Sequence, residues 1–215
     1  MTTVQPITLT QVRAALALNP FDIPRSQLRM APEPRGNGIP PRDDPAREAG
    51  VLALLFPHSD ASLHVVLTRR TDTLRGHSGQ ISFPGGRRDP EDESFAATAL
   101  RETCEELGIC DSIEIIGQLS QIYIPPSHFN VYPSVGYLPW QPLFTPNEAE
   151  VAEVFTVPLE LLLEDSVHQE EYREFGAVRV RTPYYDLCGH KVWGATAIML
   201  SEFEHRLRTV LTDPQ

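Results

Sequence analysis

The chain has 215 residues, 41% hydrophobic and 22% charged, and its 18 Lys and Arg against 29 Asp and Glu give a formal net charge of −11. That length supports one sizeable core plus an extension and falls short of two full domains. The acidic balance excludes a binder of nucleic acid or of an anionic membrane that relies on a general positive field.

No nucleic-acid or membrane partner is therefore expected. No apolar stretch approaches the ~20 residues of a membrane-spanning helix. The start, Met1-Thr-Thr-Val-Gln-Pro, has no basic segment followed by an apolar run, so no signal peptide is expected. Three cysteines (Cys104, Cys110, Cys188) form no Cys-x-x-Cys pair. Neither a disulfide framework nor a zinc site is expected, and a reducing cytoplasm is the natural location.

Leu9, Val12, Ala15 and Leu16 recur at helical spacing and predict a short helix over Thr8 to Leu18. Pro20 to Pro45, dense in Pro, Gly, Asn, Arg and Asp, reads as a linker or an arm wrapping the core. This divides the chain into residues 1–45, a helix and Pro-rich arm, and residues 46–215, the folded domain. Gly50 to Phe56 and Leu63 to Arg69 are apolar runs suited to buried strands, joined by a turn at His58–Ser62. Gln80–Phe83 is a further strand candidate, followed by Pro84-Gly-Gly86. A helix runs from about Pro90 to Leu107 and ends at Gly108 in the C-cap position. Strands are expected near Ile113–Ile122, Val131–Leu138, Ala152–Thr156, Glu170–Arg173 and Ala177–Tyr185. A hairpin through Cys188-Gly-His190 then leads to a last helix, Trp193 to Leu211. The order predicts an α/β (α+β) sandwich built on a mixed sheet.

On a wheel, Ala97, Leu100, Cys104 and Leu107 share one face, which is the predicted core stripe. Glu102, Glu105 and Glu106 lie opposite, within an arc of about 100°. Like charges at i, i+3 and i+4 cost a few tenths of a kcal/mol per pair, so this face is not built for stability. It is either a solvated acidic face or a set of hard oxygen ligands, which suit Mg²⁺ or Mn²⁺ better than zinc. Positive charge is concentrated just upstream: Arg69, Arg70, Arg75, Arg87 and Arg88 stand against the single acid Asp72.

Gly86, Glu93 and Arg101-Glu102-Thr103-Cys104-Glu105-Glu106-Leu107-Gly108-Ile109 together resemble the signature of the Nudix hydrolases. That signature is Gly, five residues, Glu, seven residues, then Arg-Glu-apolar-x-Glu-Glu-x-Gly-apolar. Seven residues separate Glu93 from Arg101 as in the family, but six separate Gly86 from Glu93, so Asp92 is an alternative to Glu93. Thr103 stands where an aliphatic residue is usual. The resemblance implies the Nudix fold, a mixed sheet between helices, and a diphosphatase whose metal ligands are Glu102, Glu105, Glu106 and the Gly86 carbonyl. Gly86, Glu93, Arg101 and Gly108 become structural members of the box. The metal would neutralise diphosphate charge and lower the pKa of a bound water. Glu150, in Asn147-Glu-Ala-Glu150-Val-Ala-Glu153, resembles a segment that supplies an extra carboxylate and is a general-base candidate beside Glu102.

Leu67-Thr-Arg-Arg-Thr71, Arg75, Gly79 and Phe83-Pro-Gly-Gly86 resemble the motif of the coenzyme A diphosphatase branch, as do Thr182-Pro-Tyr-Tyr and Trp193-Gly-Ala-Thr-Ala. The implied reaction converts coenzyme A or its derivatives to 4′-phosphopantetheine and 3′,5′-ADP. Arg70 and Arg75 are the first candidates for substrate phosphates, with Arg69 and His77 behind them. Tyr123, Phe129 and Tyr132 are either adenine-stacking or core residues. The competing readings are a Nudix hydrolase for ADP-ribose, NADH or dinucleoside polyphosphates, and a Nudix-fold binding module without catalysis. A homodimer through a strand edge or the last helix is left open.

Overall fold

The computed structural model describes residues 6–34, 43–71, 79–110, 113–175 and 178–212. Helices α1 (Leu9–Leu16) and α2 (Ile23–Leu28) precede strands β1 (Arg47–Pro57), β2 (Leu63–Arg70), β3 (Ile81–Ser82) and β4 (Gly85–Arg87). Helix α3 (Phe95–Leu107) follows, then β5 (Glu114–Gln118), β6 (Ile122–Ile124), β7 (Phe129–Tyr137) and β8 (Val151–Pro158). Two short 3₁₀ turns, Leu159–Leu163 and Asp165–Val167, lead to β9 (His168–Phe175), β10 (Val178–Leu187), β11 (His190–Trp193) and helix α4 (Gly194–Thr212).

β1 is the centre of an eight-stranded mixed sheet. It runs parallel to β7 on one edge, and on the other pairs antiparallel with β2 near Leu55–Pro57 and with β4 at Ala49–Val51. Leu52 to Phe56 are all fully buried because both faces of the strand are covered. Side chains alternate across it: Ala53 and Leu55 join the cluster containing α4 residues Ala197, Leu200 and Phe203. Leu52, Leu54 and Phe56 join Ala99, Leu107 and Ile109 on the α3 side. A separate sheet, β11-β10-β9, precedes α4.

Several elements differ from expectation. The linker region contains α2, begun by an Asp22 cap and a proline in its first turn, a place where proline's missing N–H costs nothing. The long strand predicted over Ile113–Ile122 is two, β5 and β6, both pairing with β7. α3 starts at Phe95, not Pro90, because the Ser94 hydroxyl accepts the Ala97 N–H at 3.1 Å and caps the helix there. Its buried positions are Thr98, Ala99, Thr103, Glu106 and Leu107, so the expected stripe through Ala97, Leu100 and Cys104 is rotated by about one residue. The expectation of unpaired cysteines also fails. Gly108, at φ 71°, reverses the chain and brings Cys110 back to a disulfide with Cys104, six residues away. Cys188 is free and exposed.

Candidate active site

Placement of α3 begins with Gly50 of β1. A Cβ there would run into the Phe95 carbonyl and lie 3.0 Å from Thr98, so glycine permits the first turn of the helix to sit on the strand. At the other end, the helix carbonyls are taken up by a docked loop. Thr145 N–H donates to the Leu107 carbonyl at 2.8 Å and Asn147 N–H to the Glu106 carbonyl at 2.9 Å. This loop carries Glu150 beside the helix, and Thr71 N–H holds the Glu150 carbonyl at 3.0 Å.

Glu106 is the most enclosed acid of the cleft, 4% exposed. Its Oε2 accepts the Gly85 N–H at 3.2 Å, and Arg70 Nη1 stands 3.8 Å from Oε1. Burial pushes its carboxyl up to about 7, with the charges of Glu102 and Glu150 adding to the rise against the pull of Gly85 and Arg70. Glu102 is also raised, first by burial and further by Glu105 and Glu150, while Arg101 opposes. Gly86 lies against Glu102: a Cβ there would stand 2.5 Å from its carboxylate oxygen Oε2. Glu105 sits at the exposed rim, 3.2 Å from Arg101.

Arg101 is the framework of this face. Its Nε and Nη2 donate to the two oxygens of Asp92 at 3.1 and 3.0 Å, Nη1 donates to Glu102 at 2.9 Å, and Nη2 reaches the Arg87 carbonyl at 3.1 Å. Hydrogen bonds from Arg101 hold the Asp92 carboxyl well below the usual range. Asp92 is 9% exposed, whereas Glu93 is exposed. Of the two carboxylates the six-residue spacer leaves open, Asp92 is therefore the one that pairs with Arg101.

Among the described residues the arginine cluster disperses. Arg70 faces Glu106, but Arg69, its neighbour on β2, donates from Nε to Glu153 at 3.2 Å. Adjacent strand residues point to opposite faces, which separates the two. Arg88 is engaged with Glu48 and lies over the Phe95 ring. Arg75 and His77 lie outside the described residues. The candidate stacking aromatics are engaged within the fold: Tyr132 stacks on Phe95 at 3.6 Å, Arg47 covers Phe129, and the Tyr123 hydroxyl meets His128 Nδ1 at 2.8 Å. Sequence reasoning missed the Gly85 N–H on Glu106 and the loop contacts that position Glu150, which pair residues far apart in the chain.

Burial and the neighbouring carboxylates, Glu150 among them, raise the cost of ionising Glu106 and Glu102, in a site whose cationic neighbours among the described residues are Arg70 and Arg101. An excess of hard oxygen donors around a side-chain-free turn is the donor set that a hard divalent cation balances. Glu102 and Glu106, with Glu105 at the rim and the Gly85–Gly86 backbone, could hold one.

The sequence model of the NUDIX domain matches residues 46–177 of the chain. The uncharacterized Nudix hydrolase NudL of Photorhabdus laumondii is 36% identical over 195 residues, covering 90% of this chain and 99% of that protein. Nudix hydrolase 15, mitochondrial, of Arabidopsis thaliana is 36% identical over 167 residues, 75% of this chain and 58% of that protein. Among solved structures, a MutT protein from Methanosarcina mazei Go1 superposes with a TM-score of 0.51 at 19% identity, covering 80% of this chain and all of that one, a likeness of fold.

Proposed function

Because the chain belongs to the Nudix family of hydrolases, we propose that it cleaves the diphosphate linkage of coenzyme A or its derivatives, giving 4′-phosphopantetheine and 3′,5′-ADP. The observation that carries the reading is Arg70, a residue of the Leu67–Gly86 segment, placed 3.8 Å from buried Glu106 at the edge of the carboxylate cleft. An arginine there offers a bidentate cation to a phosphate seated against the acids.

Nudix hydrolases generally use divalent metal ions. Here Glu102, Glu105 and Glu106, with the Gly86 carbonyl, would hold Mg²⁺ or Mn²⁺, which when bound supplies charge neutralisation and a more acidic water. Arg101 fixes Glu102 through its 2.9 Å hydrogen bond, so that this carboxylate does not turn away from the cleft. The Gly85 N–H does the same for Glu106. Glu150 accepts the proton of the attacking water at its carboxylate, supported by its place on a loop fixed to the helix end. Arg70 orients the phosphate, with Arg75 and His77 joining from the same segment. The substrate is a small nucleotide derivative in this reading.

The purified protein should be incubated with Mg²⁺ or Mn²⁺ and, separately, coenzyme A, acetyl-coenzyme A, ADP-ribose, NADH and diadenosine polyphosphates, with products resolved by chromatography. Fastest release of 3′,5′-ADP from coenzyme A compounds, abolished in Glu106→Gln, is the expected result. Preferential turnover of ADP-ribose or NADH would overturn the coenzyme A reading and leave a Nudix hydrolase of another substrate class.

A further inference from the structure

A second group of ligating side chains lies away from the carboxylate cleft. His58, Asp60 and His64 occupy the β1–β2 hairpin, in His58-Ser-Asp60-Ala-Ser-Leu-His64, and their ligand-capable atoms all lie within 4.8 Å of one another. His64 is separated from Arg70 by six steps along β2, roughly 20 Å at strand rise, so the group is remote from Glu106.

The anchor is His64, which is only 7% exposed. Its Nδ1 meets Thr156 Oγ1 of the neighbouring strand at 3.0 Å. Its Nε2 is buried and has no hydrogen-bond partner. Buried polar atoms are nearly always paired, so an unpaired ring nitrogen calls for a ligand. With Nδ1–H donated to the threonine hydroxyl, Nε2 carries the lone pair, the arrangement that second-shell partners impose on metal-binding histidines.

The other two members are near the surface. Asp60 Oδ1 accepts the Ser62 N–H at 3.0 Å, which orients the carboxylate, and His58 Nδ1 lies 3.5 Å from the same oxygen. The His58 ring stacks on His64 at 4.3 Å with an interplanar angle of 16°. Parallel rings cannot direct both lone pairs at one point, so His58, whose side chain is 33% exposed, is the ring that tilts to complete a site.

We propose that His58, Asp60 and His64 form a second cation site, which takes a divalent transition metal of the zinc class and pins the β1–β2 hairpin. Two imidazoles and one carboxylate, with a fourth position open to water, match the preference of such ions and not that of Mg²⁺.

The test uses the full chain, stripped with chelator and kept in excess Mg²⁺ to occupy the carboxylate cleft. Co²⁺ serves as a spectroscopic probe and Zn²⁺ as titrant in calorimetry. A single equivalent of Co²⁺ giving visible ligand-field bands is expected, retained in Glu106→Gln. His58→Ala and Asp60→Asn, both at accessible positions, should weaken Zn²⁺ binding at least about tenfold, since a direct ligand counts for no less than the outer partners whose loss costs that much. Their circular dichroism and Mg²⁺-dependent hydrolysis should be unchanged. Absence of a Mg²⁺-resistant equivalent, unchanged Zn²⁺ affinity in both hairpin variants, or loss of the bands in Glu106→Gln would each overturn the proposal.

Discussion

Replacing Asp92 by alanine should damage this protein where replacing Glu93 does not. Asp92 gives both oxygens to Arg101 at 3.0 and 3.1 Å and accepts the Asp89 N–H at 3.0 Å. A hydrogen bond to a charged partner contributes about 1.5–3 kcal/mol. The Arg101 side chain is 28% exposed and retains its bond to the Arg87 carbonyl, so solvent and that carbonyl recover part of the loss. A net destabilisation of roughly 2–4 kcal/mol follows for Asp92→Ala, at the low end of what breaking a buried pair costs. Glu93→Ala, at an exposed position, should stay within about 0.5 kcal/mol. Arg101 also positions Glu102, so losing its anchor should lower kcat by about 10–100-fold, the usual effect of removing an outer partner of a metal-ligating carboxylate. Urea unfolding followed by circular dichroism reads the first quantity, and hydrolysis of the substrate identified in the panel reads the second. Asp92→Asn keeps the shape and should lie between. A Glu93→Ala variant as impaired as Asp92→Ala, or an Asp92→Ala variant indistinguishable from the parent, would refute the assignment.

Gly86→Ala should remain folded yet lose roughly a hundredfold in kcat, because the added methyl displaces the Glu102 carboxylate it would meet; thermal unfolding and steady-state kinetics separate the two effects. Glu204 on α4 is fully buried: burial works to raise its carboxyl, but hydrogen bonds from His168, Tyr185 and Arg208 outweigh this and bring it to about 2. Its folded-state value is depressed, so the stabilisation is complete above the ordinary 4.5 and is lost as pH falls from there towards 2, an amount of roughly 3 kcal/mol. Urea midpoints across that window should fall steeply for the parent and less for Glu204→Gln. Reducing the Cys104–Cys110 bridge, which closes a short loop after α3, should lower stability by about 2 kcal/mol. Urea midpoints with and without reductant, alongside thiol titration, would check it; equal midpoints with the bridge demonstrably opened would contradict the estimate.

Strong local signals were legible in the sequence. The run through Gly50–Phe56 suited a buried strand, and Gly108 a helix end, which the full burial of Leu52–Phe56 and the φ of 71° at Gly108 bear out. The start of α3 was not legible in the same way, since Pro90-Glu-Asp-Glu-Ser94 suits a first helical turn as well as a loop; the Ser94 cap decides it. The core stripe was misjudged because hydrophobicity was taken as the guide to burial. In this helix a buried face carries Glu106, held by the Gly85 N–H, while Cys104 is joined to Cys110. The same holds on α4, where Glu202 and Arg206 are buried because Gln27, Ser120 and the carbonyls of Ala15 and Leu18 satisfy them from distant parts of the chain.

The arginines between positions 69 and 88 show which inference about a site transfers from sequence to space. Five cations within twenty residues look like one positive patch. A strand, however, sends neighbours to opposite faces, so Arg69 goes to Glu153 and Arg70 to Glu106. Beyond β4, Arg88 is drawn to Glu48 of β1 and to the face of Phe95. Among the described residues of that stretch, Arg70 is the arginine paired with a carboxylate of the cleft. For the described arginines, charge density along the chain therefore overstated the field at the site, and the alternation rule, applied to Leu63–Arg70 beforehand, would have singled out Arg70 over Arg69 once Glu106 was placed on the α3 side of the sheet.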